Sequence, residues 1–229
     1  MSAETYGLDR KRLNMRINKP SSFIVAASLA CSFVLPGCAA QQNRAPTESR
    51  SSAPRNDCEW CGAQDAPANL SWRTEIAGAN EPGERLIMSG TVYEADGVTP
   101  AKDILLYLYH TNSSGIYPKN TPNNGRPSWR HGYLRSWLRT GADGRYEFQT
   151  IKPEPYPNGT EPAHIHVTIS GPGLQEYYIA DFIFEGDRFI NEQVRSRLKE
   201  QGELSSIIEL KRDGGGPLRG SRNITLRRK

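Results

Sequence analysis

The strongest constraint on this chain is the punctuation of its last two thirds. From about Leu70 onward, short runs of β-branched, aromatic and aliphatic residues are cut apart by turns carrying Gly, Pro, Asn and Asp. The candidate strands are RLIMSGTVY (85–93), ILLYLYHT (104–111), YLRSWLRT (133–140), RYEFQTI (145–151), HIHVTIS (164–170), EYYIADFIF (176–184), SSIIEL (205–210) and NITL (223–226). Turns such as EADGVTP and GADG separate them, with Gly supplying positive φ. One segment, RFINEQVRSRLKEQG (188–202), has helical spacing and ends at Gly202. Many short strands and one late helix predict a mainly β domain over residues 68–229. The expected architecture is a single antiparallel two-sheet β-sandwich with one short helix in its C-terminal half. That span is long enough to bury a core, and it holds no internal repeat.

The front of the chain does not read as part of that domain. Residues 1–37 carry Arg16 and Lys19, then an uncharged stretch from Pro20 to Gly37, followed by Cys38. A basic region, an apolar region and small residues describe a secretory signal, with Met15 as an alternative start. The apolar stretch is short of the roughly 20 residues a membrane span needs. The sequence LPGC is like a bacterial lipobox, in which Cys38 is lipidated and becomes the new N-terminus. The expected location is therefore the periplasmic side of a bacterial membrane, held through an N-terminal lipid alone. Ordinary signal cleavage, giving a soluble periplasmic or secreted protein, is the alternative.

Residues 38–67 read as a flexible tether, rich in Pro, Ser and Gln and without apolar periodicity. The tether contains Cys58 and Cys61 in CEWCGA. In an oxidising compartment these form a local disulfide, or else stay free thiols. A zinc ribbon needs a second Cys pair, and a thioredoxin-like motif needs a βαβ context. The 29 basic and 25 acidic residues become 24 and 23 once the five and two within residues 1–37 are set aside. A nearly neutral chain with a charged tail gives no reason to expect a nucleic-acid partner.

Chemistry concentrates in TIKPEPYPNGTEPAHIH. Successive strand residues point to opposite faces, so His164 and His166 share a face while Ile165 takes the other. Two imidazoles so placed can bind one metal ion, although an ordinary strand can also carry such a pair. Pro153, Pro155, Pro157 and Pro162 fix φ and remove donors, making a stiff loop that could hold Tyr156 toward the histidines. Tyr117, in HTNSSGIYPKN, lies in another Gly/Pro-flanked loop, whereas Tyr107, Tyr109 and Tyr146 fall mid-strand and read as core. His110 reads as a polar strand end, His131 as part of an exposed loop, and Asp187 as a turn or helix-cap residue.

These stretches, GYLRSWLRTGADGRYEFQTIKPEPYP, then PAHIHVTISGP, then DFIFEGD, resemble the intradiol ring-cleavage dioxygenases, especially the protocatechuate 3,4-dioxygenase type and its stand-alone exported relatives. The likeness runs from roughly Leu86 to Gly186. It implies a two-layered β-sandwich with a non-haem Fe(III) centre held by Tyr117, Tyr156, His164 and His166. It also implies that a catechol chelates the iron and that O2 opens the ring to a muconate-type diacid. Tyr156 would leave the metal as substrate binds and take up a phenolic proton. A phenol titrates near 10, so tyrosine becomes a ligand at neutral pH only when a strong Lewis acid displaces its proton. Ferric iron is such an acid.

Three positions depart from the pattern. The protocatechuate enzymes carry an arginine where this chain has Glu161, a tryptophan where it has Asn158, and a glutamine where it has Asp181. Glu161 reverses the local charge and Asp181 adds to it, so both are taken as catalytic-site residues that select the substrate. An acidic pocket repels an anion, favouring a neutral or alkylated catechol over a carboxylated one. Arg130 or Arg135 could restore the missing cation. The expected partners are a small catechol and O2, with oligomeric state left open. The rival expectation is a non-catalytic β-sandwich lipoprotein that binds a catechol or ferric catecholate.

Overall fold

Alternation along each strand sorts side chains between two faces. In the computed structural model, which describes residues 62–227, it yields two six-stranded sheets. The first runs β1 (Arg73–Glu75), β5 (Arg145–Ile151), β2 (Arg85–Tyr93), β11 (Leu218–Ser221), β10 (Lys211–Arg212), with β12 (Ile224–Thr225) also paired to β2. The second runs β4 (Arg135–Arg139), β3 (Leu105–His110), β6 (His164–Gly171), β8 (Phe182–Phe184), β9 (Ile207–Ile208), with β7 (Leu174–Tyr178) paired to β6. Leu86, Met88 and Phe148 of the first sheet join Leu106, Leu108, Ile165, Val167 and Ile169 of the second in one core. Burying each such side chain is worth roughly 1.5–3 kcal/mol. Cys38, Cys58 and Cys61, and with them the signal, lipidation and disulfide expectations, lie outside the described residues.

The mainly β sandwich stands, but its sheets are mixed rather than wholly antiparallel. Four pairs run parallel: β1 with β5, β2 with β11, β2 with β12, and β8 with β9. Parallel neighbours need a crossover of a dozen or more residues. Helix α1 (Glu192–Glu200) supplies one between β8 and β9, capped by Asn191 Oδ1, which accepts from Val194 N at 3.0 Å. The short polar strands RTE, KR and LRGS lack alternation, which is why β1, β10 and β11 escape a sequence reading. The expected run 176–184 divides into β7 and β8, with residues 179–181 between them.

The tether reading fails at its C-terminal end. Gly62 N and Ala63 N both donate to Glu176 Oε1, at 3.0 and 3.1 Å. Trp137 Nε1 donates to Gly62 O at 2.8 Å, and Ser128 N donates to Asp65 Oδ2 at 2.9 Å. Residues 62–65 thereby form a lid over Tyr107, whose ring leaves no room for a Cβ at Gly62.

His110 shares its face with Leu106 and Leu108 and is fully buried in the core, contrary to the polar strand end expected. Its Nδ1–H donates to Thr111 O at 2.7 Å, and its Nε2 accepts from the Thr150 hydroxyl of β5 at 2.6 Å. It therefore stitches the two sheets together as a neutral imidazole. Burial holds its pKa down to about 4.

The two loops that carry Tyr117 and Tyr156 are fused backbone to backbone. The Thr111 hydroxyl donates to Glu154 O at 2.6 Å, and Glu154 N donates to Asn112 O at 3.3 Å. Gly115 lies at φ +73°, and a Cβ there would stand 2.1 Å from Pro155 O. Only glycine permits both that conformation and that approach.

Two outcomes follow from this packing. The unfolded state protonates His110 near pH 6.5 while the folded state resists until about 4, so its stabilising contribution is full above pH 6.5 and is lost as pH falls toward 4. Urea unfolding of the iron-free protein should therefore lose on the order of 2 kcal/mol more than His110→Gln across that window; equal pH slopes would refute the assignment. Gly115→Ala should cost about 1–3 kcal/mol through backbone strain and part the two tyrosines. Urea unfolding and ferric-ion titration would show this, and a variant with unchanged stability and iron affinity would contradict it.

Candidate metal centre

The outer face of the second sheet, away from the core, carries the polar residues of β6. Register places Tyr109 of β3 beside His166, and Arg135 of β4 beside Tyr109. The Tyr109 ring lies between two imidazoles, 3.8 Å from His131 and 4.6 Å from His166 between ring centres. His131 is buried rather than exposed, and its Nδ1 is 2.6 Å from the Tyr107 hydroxyl. Burial lowers its pKa to about 3, so the Tyr107 O–H donates to a neutral ring.

Over this face the two fused loops bring their phenols down onto the histidines. Tyr117 Oη and Tyr156 Oη are 2.6 Å apart. Tyr156 Oη is 3.3 Å from Nε2 of both His164 and His166, and the two Nε2 atoms are 3.0 Å from each other. All four residues singled out from sequence as a ligand set are therefore together. Asp187, a turn residue as expected, helps set the strand's start: its Oδ2 accepts from Ala163 N at 2.9 Å.

The hydrogen count at this point is informative. His164 Nδ1 is 2.7 Å from Pro162 O, which can only accept, so Nδ1 carries the proton and Nε2 a lone pair. His166 Nδ1 is 3.0 Å from Asp181 Oδ1, which places a proton on Nδ1 and, in the neutral ring, leaves Nε2 the lone pair. Two imidazole lone pairs thus face each other at 3.0 Å, with only two phenolic protons to share among four donor atoms. A cation among them removes that repulsion. Burial pushes the Tyr117 phenol up, reinforced by its bond to Tyr156. Burial also pushes Tyr156 up, with Glu161 and Asp181 adding to it. Burial and then His166 push His164 down.

The donor set fits Fe(III). Two phenolate oxygens are hard anions, and Zn²⁺ sites draw on Cys, His and carboxylates instead. His164, His166 and Asp181 also have ligand atoms within 4.8 Å of one another, as a two-histidine, one-carboxylate site would. Asp181, however, engages the nitrogen of His166 opposite the cluster, whereas both Nε2 atoms point at the phenols. The tyrosine set is therefore the better match to the geometry.

The four donors open onto a cleft of about 1400 Å3 walled on one side by α1. Glu161 stands exposed at this cleft, and Asp181 lines it from beneath. Of the candidate replacement cations, Arg130 lines the cleft and Arg135 does not. The Coulombic influences on the Tyr156 oxygen come from Glu161 and Asp181, both negative. Tyr109 and His131 are functional neighbours that sequence reasoning placed elsewhere. The signal for Tyr109 was its odd-numbered parity with Tyr107, opposite to the core residues Leu106 and Leu108.

Residues 63–217 match the protein family described as Dioxygenase. Catechol 1,2-dioxygenase 1 of Acinetobacter lwoffii is 30% identical over 127 residues, covering 48% of this chain and 39% of that protein. The protocatechuate 3,4-dioxygenase beta chain of Burkholderia cepacia is 29% identical over 133 residues, covering 55% of this chain and 56% of that one. This chain thus spans 39% and 56% of the length of these two relatives. The dioxygenase domain of a carbohydrate-binding fusion protein from Streptomyces sp. SirexAA-E superposes with a TM-score of 0.51 at 23% identity. That alignment covers 70% of this chain and 90% of the domain, a likeness of fold. With its match over residues 63–217 and its agreement with these relatives, the chain belongs to the intradiol ring-cleavage dioxygenase family.

Proposed function

We propose that this chain binds ferric iron through Tyr117, Tyr156, His164 and His166 and uses O2 to cleave a catechol between its two hydroxylated carbons, giving a muconate-type diacid. The observation that carries this reading is the convergence of two phenol oxygens and two lone-pair-bearing imidazole nitrogens. When bound, ferric iron would supply Lewis acidity toward both catechol oxygens and the electron demand that opens the ring to O2.

The chain's own part is proton handling, orientation and selection. Tyr156 Oη touches the other three donors, and its residue lines the cleft. Burial disfavours its ionised form, so a Tyr156 phenolate is a strong base placed where a substrate hydroxyl would enter. The Tyr109 ring, packed on His166, fixes that imidazole's plane. Glu161 and Asp181 make the field at Tyr156 negative, which supports a neutral or alkylated catechol over a carboxylated one.

Iron-loaded protein should show a visible tyrosinate-to-iron absorption band, altered by both Tyr117→Phe and Tyr156→Phe. O2 uptake with 4-methylcatechol should fall by about 100-fold or more in Tyr156→Phe, the scale of a lost general base. A colourless protein after iron loading would sink the reading; a coloured protein that consumes no O2 with any catechol would favour the non-catalytic lipoprotein instead. For selection, Glu161→Arg should raise kcat/KM for protocatechuate relative to 4-methylcatechol by roughly tenfold, about 1.4 kcal/mol. Faster turnover of protocatechuate than of 4-methylcatechol by the unaltered protein would contradict the substrate assignment.

A further inference from the structure

The two imidazoles of the centre are anchored unequally. His164 Nδ1–H donates to a neutral carbonyl, that of Pro162, at 2.7 Å. His166 Nδ1–H donates to a carboxylate, Asp181 Oδ1, at 3.0 Å. A hydrogen bond to an ionised acceptor is about twice as strong as one between neutral groups and draws the ring toward imidazolate character. We propose that Asp181 is a positioning residue whose negative charge makes His166 the stronger electron donor of the pair and holds the bound iron in its ferric state. This rests on the iron-binding reading above.

Charge balance supports the assignment. Two tyrosinates would leave a bound ferric ion with one net positive charge, and Asp181 would bring this partly buried set to neutrality. A buried charge that is unpaired is costly. The side chains of His166 and Asp181 are only 20% and 32% exposed, so solvent screens the pair incompletely.

The backbone around Asp181 is also held on both sides. Ile179 N donates to Val167 O at 3.2 Å, and Phe182 pairs with Ile165 across β8 and β6. Ala180 O accepts from Arg222 Nη1 at 2.6 Å, and the buried Arg222 is itself held by Glu203. Asp181 lies in the break between β7 and β8, one residue before β8 begins, where its carboxylate reaches a neighbour on β6.

The test compares the iron-loaded full chain with Asp181→Asn, Asp181→Gln and Asp181→Glu. Loss of the charge makes ferric iron a better electron acceptor. In Asp181→Asn and Asp181→Gln the tyrosinate-to-iron band should therefore move to longer wavelength and the reduction potential should rise. Ferric affinity should fall by roughly 10- to 100-fold, the range for groups that hold a metal ligand. Asp181→Glu, which keeps the charge, should restore band and potential toward their original values. Thermal unfolding of each iron-free variant, run in parallel, separates loss of fold from loss of charge. Unchanged band and potential in the two amide variants would overturn the proposal. So would an Asp181→Glu protein shifted as far as Asp181→Asn, since the effect would then follow shape. A colourless unaltered protein would bring down the iron-binding reading and this one with it, whereas a coloured one with unresponsive variants brings down this one alone.

Discussion

Strand β3 of the second sheet is buried on both of its faces, and the site depends on that. Every residue of β3 from Leu105 to His110 is buried. Its inner face is covered by the first sheet. The outer face is covered by residues 62–65, by the turn over 127–131 and by the proline-rich loop before β6. Polar side chains on that outer face cannot be left to water. They are obliged to satisfy one another, as Tyr107 does with His131, Tyr109 with Tyr178, and Thr168 with Glu176. Desolvation then pushes the Tyr107 and Tyr109 phenols up and the His131 and His164 imidazoles down, which favours their neutral, lone-pair-bearing forms.

Such a face is stable only where each lone pair finds a proton or a cation. Along the 107–168–178 row protons suffice, because each hydroxyl has a partner: the His131 ring, the Glu176 carboxylate and the Tyr109 hydroxyl. At the Tyr117, Tyr156, His164, His166 cluster they do not. Both imidazole protons are drawn away to Pro162 and Asp181, and the remaining nitrogens face each other. On the iron-binding reading, the outer partners of the two histidines would tune the affinity of the cluster for a cation, the general role of groups that orient metal ligands. A chain that fixes both Nδ1 protons in advance would have little to rearrange on binding an ion.

How much of this was legible in the sequence follows from the range of each signal. Strand parity is a property of adjacent residues, so His164 and His166 on one face with Ile165 in the core could be read directly. The prolines around Tyr156 are equally local. Strand direction is not: the parallel pairs β1–β5 and β2–β11 join segments some 70 and 130 residues apart, and nothing in RTE or LRGS encodes a partner. His110 and His131 were misread for the same reason. Whether a histidine at a strand end or in a loop is exposed depends on what packs over it, and here Thr150 and Tyr109 come from distant strands. Residues 62–67 look like tether because their anchors, Glu176 and Trp137, lie far along the chain. Asp181 was recognised as a departure in charge, but its contact with His166 depends on the break between β7 and β8, where an unbroken run had been expected.

That break links the site to the most distant part of the fold. Arg222 follows β11, and its guanidinium crosses to Ala180 O while stacking on Phe182 of β8 at 4.9 Å. Its own carbonyl accepts from Tyr146 Oη at 2.6 Å. The same carbonyl would lie 1.9 Å from a Cβ at residue 90, so Gly90 lets the C-terminal segment close against β2. Asn223 Oδ1 then takes the Thr91 N–H that the interrupted ladder leaves over, at 3.0 Å. The family match ends at residue 217, yet the backbone beside Asp181 is held by Arg222, beyond it. Gly90 and Arg222 are therefore linked to His166 through the backbone of residues 180–182, with no contact to the four donors themselves. The C-terminal strands are in this sense part of the support of the site, and their charged, unpatterned sequence gives no hint of it.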